Sequence, residues 1–197
     1  MSKAKASKMS FQTSPILNAT GQKRLYKTLC NVLDSLRNEV RQLPPFEKNK
    51  KKSLEGSPRI FVRDTGLLHA VLGVNSMTKL NAHQGMGLSW EGFVIESLIA
   101  VDSGSIRPFY YRFEEKDEID LVLEFSFNDS ERWGIEIKSG IKPKVPDGFI
   151  RATNQIACTR RFMIDRGQGR TRRDGIECVP LVRMLKILED FVNARQA

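Results

Sequence analysis

Three residues of this chain, Asp120, Glu136 and Lys138, have the types and the spacing to share one site. Glu136 and Lys138 flank Ile137, so on an extended strand they project to one side while Ile135 and Ile137 take the other. Asp120 lies one hairpin earlier, and pairing of the two runs can set it beside them. Two carboxylates and an ammonium group on one face suit a divalent metal ion and a water that it activates. The plain alternative is a solvated strand face carrying an i,i+2 ion pair. Against it, Ile119, Leu121, Val122 and Leu123 surround Asp120, which is expected in a strand buried on both faces, where a carboxylate requires a partner.

The elements that must position these groups follow from periodicity. Glu118 to Phe127 and Trp133 to Lys138 read as strands, with the turn formers Asn128, Asp129 and Ser130 between them. Leu88 to Val101 reads as a helix with Ser89 as N-cap. At about 100° per residue, Trp90, Val94, Ile95, Leu98 and Val101 share one face. Glu91 lies inside that arc and is expected to point at Asp120, Glu136 and Lys138. Glu96 falls roughly opposite and is expected in solvent. Arg107 to Phe113 is the preceding strand and Glu114 to Glu118 an acidic turn. Upstream, Ile60 to Val62 is a short strand and Asp64 to Gly66 a turn. Leu67, Leu68, Val71 and Leu72 form a helical stripe closed by Gly73, and 75–87 reads as a loop. His69 and His83 are expected to be structural.

Downstream, Phe149 to Cys158 reads as a helix, Arg161 to Ile164 as a strand, and Glu177 to Val179 as a last strand. Pro180 opens a helix with Leu181, Val182, Leu185 and Leu188 inward. Residues 160–173 read as a mobile arginine-rich loop; Arg170, Arg172 and Arg173 are candidate phosphate contacts, or a solvated loop.

Charge divides the chain. Residues 1–60 hold thirteen Lys and Arg against four Asp and Glu, which accounts for the whole formal charge of +9. A basic appendage on a neutral domain suits contact with polyanions. Three parts are expected: a disordered basic tail (1–20), an amphipathic helix and basic linker (21–58), and the domain (59–197). Helix 21–43 is a docking or self-association surface ended by Pro44-Pro45, and Lys48, Lys50, Lys51 and Lys52 are candidate nucleic-acid contacts. Cys30, Cys158 and Cys178 show no zinc spacing, the apolar runs are too short for a membrane span, and no signal peptide is apparent. A cytoplasmic protein is expected.

Asp120 followed by Glu136-Ile137-Lys138 resembles the D…ExK signature of the PD-(D/E)XK nuclease-like superfamily. The segments Arg41-Gln-Leu-Pro-Pro-Phe, Ile60-Phe-Val-Arg-Asp-Thr-Gly-Leu-Leu-His, Gly87-Leu-Ser-Trp-Glu-Gly-Phe-Val-Ile-Glu and Ile176-Glu-Cys-Val-Pro-Leu resemble domain of unknown function 4143, found C-terminal in AAA-type ATPases. The resemblance implies an α/β fold of restriction-endonuclease type, a mixed sheet of four or five strands flanked by helices, with the basic helical appendage in front. It further implies Mg2+ or Mn2+ on Asp120 and Glu136, Lys138 as the group that orients or stabilises the attacking hydroxide, and Glu91 as a further carboxylate. The activity implied is metal-dependent phosphodiester hydrolysis on DNA or RNA. The alternative is a non-catalytic binding or regulatory module, with an ATPase as partner. No GxxxxGK[ST] occurs in this chain, so it is not an ATPase by itself.

Overall fold

The stretch Asp117 to Ile137 builds the hairpin around which the main sheet is laid. The computed structural model describes residues 39–47, 57–102, 104–113 and 116–196. Strands β1 (Val40–Leu43) and β2 (Arg59–Val62) form a separate two-stranded ribbon. Helices α1 (Thr65–Val71), α2 (Met77–Ala82) and α3 (Met86–Ile99) follow. Then come β3 (Ile106–Phe113), β4 (Asp117–Phe125), β5 (Asn128–Ile137), α4 (Asp147–Gln155), β6 (Arg160–Asp165), β7 (Thr171–Arg173), β8 (Ile176–Pro180) and α5 (Leu181–Gln196).

The main sheet has six strands in the order β3-β4-β5-β6-β8-β7. β3, β4 and β5 pair antiparallel, β5, β6 and β8 parallel, and β7 pairs antiparallel with β8. The expected α/β class with a mixed, helix-flanked sheet is therefore present, with six strands where four or five are expected. Helices α3 and α5 cover one face, where Val94, Ile95, Leu98, Met184 and Leu188 meet Leu121, Trp133, Ile135 and Phe162. Helix α4 covers the other, with Phe149, Ala152 and Ile156 on Val122 and Met163. α4 comes so close to β4 that a Cβ at Gly148 would collide with the carbonyl oxygen of Lys116.

Several boundaries differ from the sequence reading, each for a local reason. Val40 to Leu43, the expected end of helix 21–43, is a strand: it pairs with Arg59 to Val62 and buries Leu43, and strand partners 16 to 22 residues away are invisible to helical periodicity. The rest of that helix and the tail 1–20 lie outside the described residues. The hairpin turn is Ser126-Phe127, while Asn128 pairs with Phe125 and its side chain accepts from Ser130 N. Asp64 opens α1, its carboxylate accepting from Leu67 N, and Ser76 caps α2 inside the expected loop. Asp117 and Glu118 belong to β4 and not to a turn. Arg160 and Arg161 lie in β6, and Arg172 and Arg173 in β7, so this stretch is paired strand at both ends. Val182 is 80% exposed; α5 turns Met184, Leu188 and Val192 inward instead.

Candidate functional site

Asp120 owes its position to a break in the ladder. β3 and β4 pair as Phe109↔Val122 and Tyr111↔Ile119, so Asp120 and Leu121 together oppose the single residue Tyr110. Such a bulge turns two successive side chains to one side. Leu121 goes into the core beneath α3, and Asp120 goes with it. Pairing of β4 with β5 ends at Leu121↔Ile135. Beyond that point the Asp120 carboxylate replaces the missing strand partner: Oδ2 accepts from Ile137 N at 2.8 Å. Lys138 N then donates to Ile164 O at 2.9 Å.

Glu136 is 5% exposed, and its Oε1 lies 2.6 Å from Lys138 Nζ. Trp90, one residue before Glu91 on α3, donates its indole N–H to Lys138 O at 3.1 Å, which fixes α3 against the end of β5. Glu91 is partly buried on this side, with Arg59 Nη1 at 3.5 Å from its Oε1 and at 3.9 Å from Asp120 Oδ1. Arg59 also pairs with Glu118. Its guanidinium lies 4.6 Å over the Tyr110 ring, and the Tyr110 hydroxyl donates to Ser57 O at 2.9 Å. The β1–β2 ribbon thus delivers one cation into a group of four acids.

The balance of charge sets the acid strengths. Burial pushes Glu91 up to about 8; the Asp120 charge adds to this, and Arg59 and Lys138 oppose it. Burial and then Asp120 push Glu136 up to about 8 as well, against Lys138. Burial raises Asp120 too, opposed by Lys138, the Ile137 N–H and Arg59. For Lys138, burial acts downward, but Glu136 and Asp120 outweigh it and hold the ammonium above its ordinary value. Burial, with the acids outnumbering the cations beside them, thus favours the protonated forms of Glu91 and Glu136.

A hard divalent cation would supply that missing charge. Among the described residues, no three His, Cys, Asp or Glu side chains are gathered closely enough to enclose a metal. Asp120 and Glu136 nevertheless offer the donor type of Mg2+, which is commonly held by one or two carboxylates with water and substrate oxygens completing the shell. On donor chemistry the pair fits such an ion, and Arg59 and Lys138 stand as the cations it would compete with.

The remaining expected residues divide. Glu96 is not solvated. Arg41 Nε donates to it at 2.6 Å and Arg63 Nε at 2.9 Å, because the ribbon packs along the far side of α3. Burial acts upward on Glu96, but the hydrogen bonds from Arg41 and Arg63 prevail and lower it. An open trough of about 510 Å³ beside it is lined by Arg63, Asp64, Phe93 and Glu96, away from the acid cluster. Ser89 does not cap α3, which starts at Met86; it is buried within the helix, 2.6 Å from His69 Nε2. His83 Nδ1 accepts from Gly85 N at 3.0 Å. Lys48, Lys50, Lys51 and Lys52 lie outside the described residues. Arg170 pairs with Glu177 at 2.6 Å, and Arg173 Nη1 donates to Pro143 O at 3.2 Å. Arg59 and Glu118 escaped the sequence reading; the only signal was an arginine heading the apolar run Ile60-Phe61-Val62.

Comparison with known proteins sets this site in a family. The model of the domain of unknown function DUF4143 matches residues 86–184, which hold Glu91, Asp120, Glu136 and Lys138. A second model, domain of unknown function DUF8612, matches residues 3–78. Uncharacterized proteins of Mycobacterium bovis and Mycobacterium tuberculosis are each 35% identical over 148 residues, covering 74% of this chain and 32% of their own length. The chain thus spans about a third of these curated relatives. A solved Vibrio cholerae protein aligns at 13% identity over 87% of this chain and 50% of its own, with a TM-score of 0.35, which supports no argument about fold. The chain belongs to the DUF4143 family.

Proposed function

We propose that this member of the DUF4143 family carries a metal-dependent phosphodiesterase site of PD-(D/E)XK type that acts on nucleic acid. The observation that supports it is the convergence of Asp120, Glu136 and Lys138 where β4 and β5 part, with Glu91 facing them from α3. Asp120 and Glu136 would hold Mg2+ or Mn2+. Such an ion, when bound, supplies Lewis-acid stabilisation of charge developing on a phosphodiester. The protein's own groups have separate tasks. The Ile137 N–H keeps one Asp120 oxygen fixed and leaves Oδ1 turned toward Arg59. The Lys138 ammonium, 38% exposed and leaning on Glu136, stands where it can hold an anionic oxygen of the substrate or attacking water. Trp90 holds the Lys138 backbone and so its reach.

Calorimetric titration with Mn2+ tests this. The unaltered chain should bind, and Asp120→Asn and Glu136→Gln should each abolish the signal; superimposable titrations of the three proteins would remove the reading. Arg59 favours a second reading, a non-catalytic binding or regulatory module, because it already neutralises part of the cluster. Mn2+ binding without cleavage of single- or double-stranded DNA or RNA would support that reading.

A further inference from the structure

Across the sheet from the acid cluster, at the start of β6, lies a cleft of about 340 Å³ lined by Thr159, Arg160, Arg161, Arg172, Gly175 and Glu177. Trp133 pairs with Arg160 where Glu136 pairs with Met163, so three residues of strand, roughly 10 Å, separate the two places along β5. We infer that this cleft is a binding site for a phosphate group, lined by three guanidinium groups of which two are held in place, and independent of the acid cluster.

Two of the three arginines, Arg160 and Arg161, have guanidinium groups held by neighbours. The Arg160 guanidinium lies 4.5 Å over the Trp133 ring and 4.8 Å over the Phe162 ring, which fixes the plane of its fork. Arg161 Nη2 donates to Asn154 Oδ1 of α4 at 2.6 Å. Arg172 is set by the β7–β8 hairpin. Its turn is Asp174-Gly175, with φ of 51° and 77°, a pair of left-handed residues that suits a two-residue turn and sets Arg172 opposite Glu177. Glu177 is already shared between Arg160 at 3.6 Å and Arg170 at 2.6 Å. Among the described residues, neither Arg161 nor Arg172 has an acid of its own. Three guanidinium groups and one carboxylate therefore line the cleft.

A planar fork matches phosphate oxygens two at a time, and a fork that is already held loses less freedom on binding. Chemistry on the ligand is not part of the inference: burial pushes the neighbouring Cys158 thiol up to about 12, so it is no nucleophile at neutral pH. The Thr159 hydroxyl is engaged with Glu131 and the Arg132 carbonyl. The site binds, and it is the forks that recognise. The phosphate can belong to a free phosphorylated small molecule or to a nucleic-acid backbone, which share this chemistry.

Inorganic phosphate, a nucleoside monophosphate and a short single-stranded oligonucleotide, each titrated into the full chain, test the inference. Arg161→Gln with Arg172→Gln should weaken phosphate and monophosphate binding about tenfold. The double lysine variant keeps the charge and should recover only part of the loss. Inorganic phosphate, titrated without divalent metal, should bind Glu96→Gln as it binds the unaltered chain and should lose affinity only in the arginine variants. Binding of the monophosphate but not the oligonucleotide identifies a free ligand. Oligonucleotide binding whose salt slope falls by about 1.4 in the glutamine variant identifies a backbone. Equal phosphate affinity in the unaltered and glutamine proteins, both folded by circular dichroism, overturns the inference.

Discussion

Glu91 and Glu96 sit on one helix, five residues apart, yet meet opposite fates. Glu96 is held by two arginines, Arg41 and Arg63, and its acidity is strengthened. Glu91 shares Arg59 with Glu118 and Asp120 and is pushed up to about 8. Burial acts upward on both and is the largest cause at Glu91; Glu96 departs because the hydrogen bonds from Arg41 and Arg63 outweigh it. The Glu96 end is a clamp, satisfied and structural, which fastens the β1–β2 ribbon to α3. At the Glu91 end the acids outnumber the cations, an arrangement that costs stability and is typical of sites that await a ligand.

The largest effect should come from breaking the clamp. Glu96→Ala removes the carboxylate that Arg41 and Arg63 both hold and should cost about 2 kcal/mol in urea unfolding, with Mn2+ binding unchanged. A loss of Mn2+ binding as large as that of Asp120→Asn would erase the distinction between the two ends.

Glu91→Gln should act with the opposite sign. A folded pKa of about 8 against an ordinary 4.5 means that the folded state holds more protons between those values. Stability from Glu91 and Glu136 therefore falls as pH rises from about 4.5 to 8 and is flat above. Glu96 behaves inversely: its contribution is present above the ordinary value of 4.5 and is lost as pH falls. Unfolding curves from pH 5 to 9 should show Glu91→Gln about 1 kcal/mol more stable than the unaltered chain at pH 9 and no different at pH 5. A gain that is the same at both pH values would point to packing and not to charge.

The smallest effect sharpens the role of the internal cation. Arg59→Gln removes a competitor for the carboxylates, so Mn2+ affinity should rise about threefold, under 1 kcal/mol. Weaker Mn2+ binding in this variant would make Arg59 part of the framework that holds Asp120 and Glu91 in place.

Much of the candidate site was legible because it is local. Alternation alone sets Glu136 beside Lys138, and helical projection alone turns Glu91, and not Glu96, toward the hairpin. What stayed hidden is nonlocal. No pattern near Arg59 says that it reaches Glu91, Glu118 and Asp120, which follow 32 to 61 residues later. Glu96 looked solvated because its partner strand, Val40 to Leu43, read as the end of a helix. Val182 looked inward as part of an apolar pair with Leu181; Leu181, Met184, Leu188 and Val192 make the inward face, and Val182 lies about 100° from Leu181 around the helix.

The bulge opposite Tyr110 makes the site depend on the length of the chain as well as on its letters. Removing one residue between Ile119 and Val122 would restore an uninterrupted ladder with β3, leaving every strand in place. If the lost residue were Leu121, Asp120 would have to serve in its stead beneath α3, as a charge in an apolar layer. A relative of this chain could thus keep its aspartate, its glutamate and its lysine and still not bring them together. The informative comparison between relatives is the residue count from Ile119 to Val122, before the identity of any acid.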